Sequence, residues 1–353
     1  MGNYNNRIIT ISGDPVSGKG RVTQKLREFY EAEGYEVQVI SIGDFFRKAA
    51  QKEYKKMFPE IKNPTIEEIN SNPNFAETLH TIDEKIDMEI IPEEGEKINS
   101  RPRLNKIFII DARLAWFSLK QENFAVRLTV DSKTAGERVF NDTKRGLEDR
   151  YPSLEVATWD TAKRRKEEIK RYKERYGQDI TNPNNFDLVI GTTLANIDEI
   201  ASTIIKCENL SRQEKPFAKT WASPELFFPT QTIHDTFSNG PFTAGLTPDE
   251  LAELIQKNGI FPDAPVYSKT VTNSPYQFVI DGHHRVFASI MAGKTLIPYE
   301  KRGTIDSLIV PSSKNLSSIY DHEDAIRRPN GEKFRYKTYP KIDERCEGLD
   351  ICD

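Results

Sequence analysis

Eight consecutive residues, Gly13-Asp14-Pro15-Val16-Ser17-Gly18-Lys19-Gly20, combine glycines and one lysine at a spacing suited to phosphate. Glycines let successive backbone N–H groups turn toward one point, and the positive end of a following helix adds to them. Lys19 supplies a mobile cation for the β and γ phosphates of a nucleoside triphosphate. A glycine-rich turn that merely happens to carry a lysine would account for the glycines and leave the flanking strand and helix as coincidence. Gly20 stands where most such loops carry the Ser or Thr whose hydroxyl binds magnesium, and Arg21 follows it. Mg²⁺ is therefore expected to be held by the phosphates, water and a carboxylate, with no direct side-chain motif for a metal.

The neighbouring residues predict the elements that must position this loop. Ile8 to Ser12 is an apolar strand, and a helix beginning near Arg21 presents Val22, Leu26 and Phe29 up to Gly34. Glu36 to Ser41 alternates as a second strand, Gly43-Asp44-Phe45-Phe46-Arg47 opens a helix, and Thr65 to about Ile91 reads as helices broken at Asn72-Pro73. Lys106 to Asp111 and Phe124 to Val130 are further strands, the first ending in a carboxylate followed by Arg113. Parallel sheets gather ligands at the carboxyl ends of their strands, so the loop, Asp44, Asp111 and Arg113 are expected to converge.

From Lys133 to Tyr176 the pattern is helical and rich in arginine: Arg138, Arg145, Arg150, Arg164, Arg165, Arg171 and Arg175. Most fit a solvated face of Glu–Arg pairs. Phosphoryl transfer needs only two or three guanidinium groups, brought over the phosphates by a closing segment. Phe186 to Ile190 supplies a last core strand and Ile197 to Ile205 a closing helix.

With 353 residues the chain exceeds what one core usually organises, which predicts two domains. Lys plus Arg total 50 against 54 Asp plus Glu, for a net charge of −4, a balance that argues against a general nucleic-acid partner. No apolar stretch approaches membrane-spanning length and the first residues lack the apolar core of a signal peptide, so a cytoplasmic location without membrane partners is expected. Cys207, Cys346 and Cys352 form no CxxC pair and read as reduced structural thiols.

Order and spacing of four segments resemble the cytidylate kinases, above all the archaeal form, across residues 7 to 207. They are Ile9-Thr-Ile-Ser-Gly13 with the loop, Gly43-Asp-Phe-Phe-Arg47, Ile109-Ile-Asp-Ala-Arg113-Leu-Ala-Trp116, and Arg171-Tyr-Lys-Glu-Arg-Tyr-Gly-Gln-Asp-Ile180 followed by Phe186-Asp-Leu-Val-Ile190. Gly after the lysine is also what monophosphate kinases of the adenylate kinase type show. The resemblance implies an α/β fold with a P-loop parallel sheet flanked by helices, ATP and Mg²⁺ as cofactors, and nucleotide substrates. It implies that Gly13, Asp14, Val16, Ser17, Gly18, Lys19, Gly20 and Arg21 bind ATP, and that Asp44, Arg47, Asp111 and Arg113 bind the acceptor. Lys19, Arg138, Arg165 and Arg171 are then the catalytic cations, with a cytosine pocket beside the helices of residues 65 to 91. Arg21, Asp111-Ala112 in place of Glu-Gly, and a stretch from Glu148 to Leu154 that reads as an insertion depart from the pattern.

Between Cys207 and about Trp221 periodicity fails, and residues 208–221 are read as a linker between domain 1–207 and domain 222–353. Thr247-Pro248-Asp249-Glu250 is a capping box ahead of the apolar face Leu251, Leu254 and Ile255. Tyr276 to Ile280 is a strand, Asp281-Gly282-His283-His284-Arg285 a turn, and Val286 to Ala292 a helix ended by Gly293. This unit resembles the nucleotide-binding box of ParB-like proteins, sulfiredoxins and free serine kinases, which implies a smaller α+β domain and a second phosphate site at residues 281 to 285. A polar turn with a capping Asp, or a zinc site at the two histidines, are the other readings. Sulfiredoxin chemistry would need a cysteine where His283 stands, and ParB function a basic helix-turn-helix that Lys301 to Asp353 does not show. The serine kinase comparison suggests an acidic base such as Glu225. The sequence thus favours a CMP or dCMP kinase fused to a second nucleotide-binding module. A serine-type kinase acting through the C-terminal half, and a non-enzymatic nucleotide sensor, are its competitors.

Overall fold

The computed structural model describes residues 7–100, 106–119, 122–142, 151–229, 246–271, 276–305 and 328–332. They form a mixed α/β protein with largely parallel strand pairing, divided into two compact units. The first unit takes in the chain to Gly13, Lys19–Arg127 and Ile180–Asp187, and the second takes in Asp14–Gly18, Leu128–Asp179 and everything from Leu188.

In the first unit, strands β1 (Arg7–Gly13), β2 (Glu36–Ser41) and β3 (Lys106–Asp111) lie in the order β2-β3-β1, all parallel. Buried on both faces, β1 and β3 read as continuous apolar runs rather than alternating ones. Register pairs Asp111 with both Ile11 and Ser41, which brings the start of the glycine loop, the β3 carboxylate and the segment leading to Asp44 to one end of the sheet. Helix α1 (Lys19–Ala32) buries Val22, Thr23, Leu26 and Tyr30, while Phe29, predicted for its apolar face, is exposed. The 22, 26, 30 stripe follows the i, i+4 geometry more closely than the predicted one.

Helix α2 (Ile42–Met57) and a run comprising α3 (Ile66–Ser71), a 3₁₀ turn (Pro73–Phe75), α4 (Ala76–Lys85), a π turn (Ile86–Ile90) and α5 (Ile91–Ser100) cover this sheet. The predicted break at Asn72-Pro73 is present: Asn72 caps the 3₁₀ turn through its side chain. Ile40, Tyr54, Phe75, Ile86, Phe108 and Ile110 share one core cluster. A short helix α6 (Ala115–Ser118) follows β3, and strand β4 (Phe124–Thr129) begins in this unit.

The second unit opens with helices α7 (Ser132–Phe140) and α8 (Leu154–Tyr176), the two pieces of the predicted arginine-rich helical region. Arg145, Arg150 and the first three residues of the predicted insertion, 148–150, lie outside the described residues, but Ser153 caps α8 by accepting from Val156 N–H. Strand β5 (Leu188–Gly191) and helix α9 (Ile197–Arg212) come next, so the closing helix runs past the predicted Ile205. Then come β6 (Thr220–Ala222), β7 (Phe227–Phe228), α10 (Pro248–Asn258), β8 (Val266–Val271), β9 (Gln277–Asp281), α11 (His283–Met291) and β10 (Ile297–Ile305). Their strand order is β5-β6-β10-β8-β9-β7, with β10 antiparallel to β6 and β8 antiparallel to β9. Both halves of the predicted capping box at Thr247 and Glu250 are present.

The segment 208–221 therefore contains the last turn of α9 and the start of β6, which pairs in parallel with β5 at Val189–Thr220 and Ile190–Trp221. Side chains join α9 to residues far along the chain. Asn196 N–H donates to Thr295 Oγ1 at 2.9 Å, Thr295 N–H and Oγ1 donate to Glu199 at 2.7 and 2.8 Å, and Lys206 Nζ donates to the Ile260 carbonyl at 2.8 Å. A polar composition here reflects a solvated helix end, not a free joint.

Candidate functional site

In the first unit the geometry centres on one carbonyl. Lys19 Nζ donates to the Gly13 oxygen at 3.2 Å, and the Arg113 guanidinium donates to the same oxygen. The Arg113 carbonyl in turn accepts from Ser12 Oγ at 2.9 Å and Trp116 Nε1 at 3.1 Å, which ties the turn after β3 to the end of β1. Two cations are thus fixed where the glycine loop begins. Burial pushes the Asp111 carboxyl up from its ordinary range, an effect opposed by Lys19, Arg113 and Arg47 and reinforced by Asp44. Lys19, Arg47, Arg113 and Asp44 therefore all act electrostatically on Asp111. Asp44 pairs with Arg47 one helical turn on, and the hydrogen bond from that guanidinium holds its carboxyl below the usual range.

The second unit holds residues Asp14 to Gly18 of the loop and the arginines of α7 and α8. Val16 and Gly18 both lie in the left-handed region, at φ 60° and 88°. For the β-branched Val16 that conformation is strained by about 1–2 kcal/mol, so the surroundings must hold it. Arg138 does so: its Nη1 donates to the Val16 carbonyl at 3.2 Å and to Thr192 Oγ1 at 3.0 Å, and its Nη2 to the Thr192 carbonyl at 2.6 Å. Asp14 is buried and turned inward, pairing with Arg165 Nη2 at 3.3 Å and accepting from Val130 N–H at 3.2 Å. Arg165 also donates to the Val130 carbonyl at 3.3 Å. Asp14, one of the predicted loop ligands, thus buttresses the loop from the inside.

Thr192, Thr193 and Asp131 belong to this framework and were not foreseen in the sequence. Asp131 caps α7 and accepts from Thr193 Oγ1 at 2.8 Å. The Asp after a β strand and ahead of a helical pattern was the available signal. Arg171 lies further along α8 with its guanidinium over the Tyr172 ring. Arg21 is exposed in the first turn of α1, and Gly20 is exposed with open space where a side chain would project. Ser17 Oγ is buried with no hydrogen-bond partner among the described residues, and its hydroxyl is free to accept a ligand contact.

Residues 8–194 match the cytidylate kinase-like family. The chain belongs to that family. Cytidylate kinase from Saccharolobus islandicus strain Y.G.57.14 is 32% identical over 207 residues, which cover 58% of this chain and 93% of the relative. The Methanocella arvoryzae cytidylate kinase is 29% identical over 199 residues, covering 56% and 95%. An S-adenosylmethionine-dependent nucleotide dehydratase of Lacinutrix mariniflava is 30% identical over 199 residues, 56% of this chain, and there the chain spans only 35% of the relative's length. Family membership supports a kinase-type enzyme handling nucleotides, and the loop residues and the α7 and α8 arginines described above lie inside the matched segment.

Beyond that segment lie the residues of the predicted second phosphate site, 281 to 285. Helix α11 starts at His283, not Val286, and its first turn buries both imidazoles. Burial lowers the His283 pKa to about 4, so that ring is neutral near pH 7 and adds no positive charge. Asp281 and Arg285 pair at 3.3 Å, and Glu225 is paired with Arg328 at 2.8 Å. Among the described residues no group of three or more His, Cys, Asp or Glu is placed to hold a metal ion. No helix among them is long and apolar enough to cross a membrane.

Proposed function

We propose that this chain transfers the γ-phosphoryl group of ATP to a nucleoside monophosphate, with CMP or dCMP as the acceptor. The observation that carries the proposal is the convergence of Lys19 and Arg113 on the Gly13 carbonyl beside Asp111, inside the cytidylate kinase-like segment. Loop amides from Gly13 to Gly20 and Lys19 take the triphosphate, and Arg47 and Arg113 take the phosphate of the acceptor. Arg138, Arg165 and Arg171 act as lid cations, the first two also holding the loop. A magnesium ion bound with the triphosphate would supply charge neutralisation. Gly20 would offer it no hydroxyl, and Asp111 is the carboxylate that would share in holding it in this reading. Such a reaction requires little covalent work from the protein, so placing these cations is most of the catalysis.

Relatives named as cytidylate kinases support the choice of acceptor, and the relative named as a nucleotide dehydratase supports nucleotide handling in general. Residues 222–353 serve as a second binding module in this reading. ATP consumption should be measured against CMP, dCMP, UMP, AMP and free serine, with wild-type protein and Lys19→Ala. Fastest turnover is expected with CMP or dCMP, and Lys19→Ala should lower it by about a hundredfold or more. Full nucleotide kinase rate in Lys19→Ala, or phosphorylation of serine that survives that substitution, would overturn the assignment.

A further inference from the structure

A cavity of about 300 Å³ lies in the C-terminal part of the chain, outside the cytidylate kinase-like segment. Its walls come from Leu251, Leu254 and Ile255 of α10, Val266 of β8 and Ile297 of β10. Arg285 and Ser289 of α11 are the exceptions to an otherwise apolar lining. Ser289 Oγ already donates to the Arg285 carbonyl at 2.7 Å, which leaves the guanidinium as the source of hydrogen-bond donors.

That guanidinium is incompletely used. Its Nη2 pairs with an Asp281 carboxylate that is 69% exposed, while its Nε is buried and finds no acceptor among the described residues. Gly282, at φ 98°, allows this placement: a Cβ there would sit 2.9 Å from both Nε and Nη2. A buried donor without an acceptor is uncommon in folded proteins and points to a missing partner. One cation at an apolar cavity of this volume suits an anion with a single head group and a hydrocarbon body. A polyphosphate would bring several charges to a site with one cation.

We propose that this cavity binds a small monocarboxylate, its head group on Arg285 and its hydrocarbon body among Leu251, Leu254, Ile255 and Ile297. The test is isothermal titration calorimetry on the full chain with octanoate, 1-octanol, inorganic phosphate and ADP as probes. Octanoate is expected to bind at one site per chain, and 1-octanol, of similar size but uncharged, at least tenfold more weakly. Arg285→Met should weaken octanoate by about tenfold to a hundredfold, the range for a hydrogen bond to a charged group. Leu254→Trp, which fills the cavity from a half-buried position, should abolish it. Melting curves followed by circular dichroism establish that each variant is folded. If Arg285→Met fails to fold, the alcohol comparison and Leu254→Trp carry the decision. No octanoate binding, equal binding of the alcohol, or octanoate affinity unchanged in Leu254→Trp would each overturn the proposal. So would ADP or phosphate binding that depends on Arg285 where octanoate does not.

Discussion

Asp111 illustrates how a single residue can oppose stability and still be retained. Burial disfavours its charged form, and Lys19, Arg113 and Arg47 only partly compensate, so the folded pKa stays above the ordinary 3.8. A raised carboxylate pKa means that the folded state binds more protons than the unfolded one through that window, and stability falls as pH rises through it. At neutral pH the charge is therefore a net burden. Asp111→Asn is expected to raise the melting temperature at pH 7 by a few degrees, on the order expected for about 1 kcal/mol. The gain should shrink toward zero as pH approaches 3.8, while kinase turnover falls at least about tenfold through loss of the carboxylate. Melting curves from pH 4 to 8 read the first effect. A lower melting temperature for the variant at pH 7 would show that the neighbouring cations outweigh burial.

At the scale of elements, the loop depends on how α7 and α8 meet. Gly136 is a point of close approach: a Cβ there would fall 2.1 Å from Thr158 Oγ1 and 2.7 Å from the Thr158 Cα. The second of these atoms is backbone and cannot rotate away. Gly136→Ala is accordingly expected to destabilise by about 1–3 kcal/mol through overpacking. Because Arg138 lies on the same helix, its bonds to Val16 and Thr192 should loosen too, lowering turnover more than acceptor binding. Adding Thr158→Ala should recover only part of the loss, since the clash with the backbone of residue 158 remains. Denaturant melts and steady-state kinetics on the single and double variants test this. A Gly136→Ala protein as stable as wild type would show that the two helices part easily.

For the whole molecule, the join between the family segment and the C-terminal residues is the decisive feature. Trp221 is almost fully buried, its strand β6 covers the edge of β5, and α9 is bonded to Thr295 and Ile260. A chain ending at Cys207 would expose the β5 edge, and unpaired edges invite association. Such a fragment is expected to melt several degrees below the full chain and to self-associate, on a scale of about 1–2 kcal/mol of lost stability. Calorimetry and size-exclusion chromatography with light scattering decide it. A monomeric fragment melting with the full chain would show that β6 is dispensable.

Signals confined to a few neighbouring residues were legible from the chain alone. The glycine loop between β1 and α1, the strand ending at Asp111, the break at Asn72-Pro73 and the capping box at Thr247 all depend on spacings of one to seven positions, where sequence neighbours are also spatial neighbours. The sequence likewise named the loop, Asp44, Asp111 and Arg113 together, because parallel strands bring their carboxyl ends to one edge whatever the details of packing, and the family resemblance added Arg47. Tertiary structure alone decided that Arg138 and Arg165 bond the loop backbone, that Asp14 faces inward, and that His283 is neutral. It also decided that residues 208–221 complete a helix and start a strand. Each of these turns on burial or on a partner dozens of residues away. A side chain's hydration, and hence its charge and its role, is set only when the distant parts of the chain close around it.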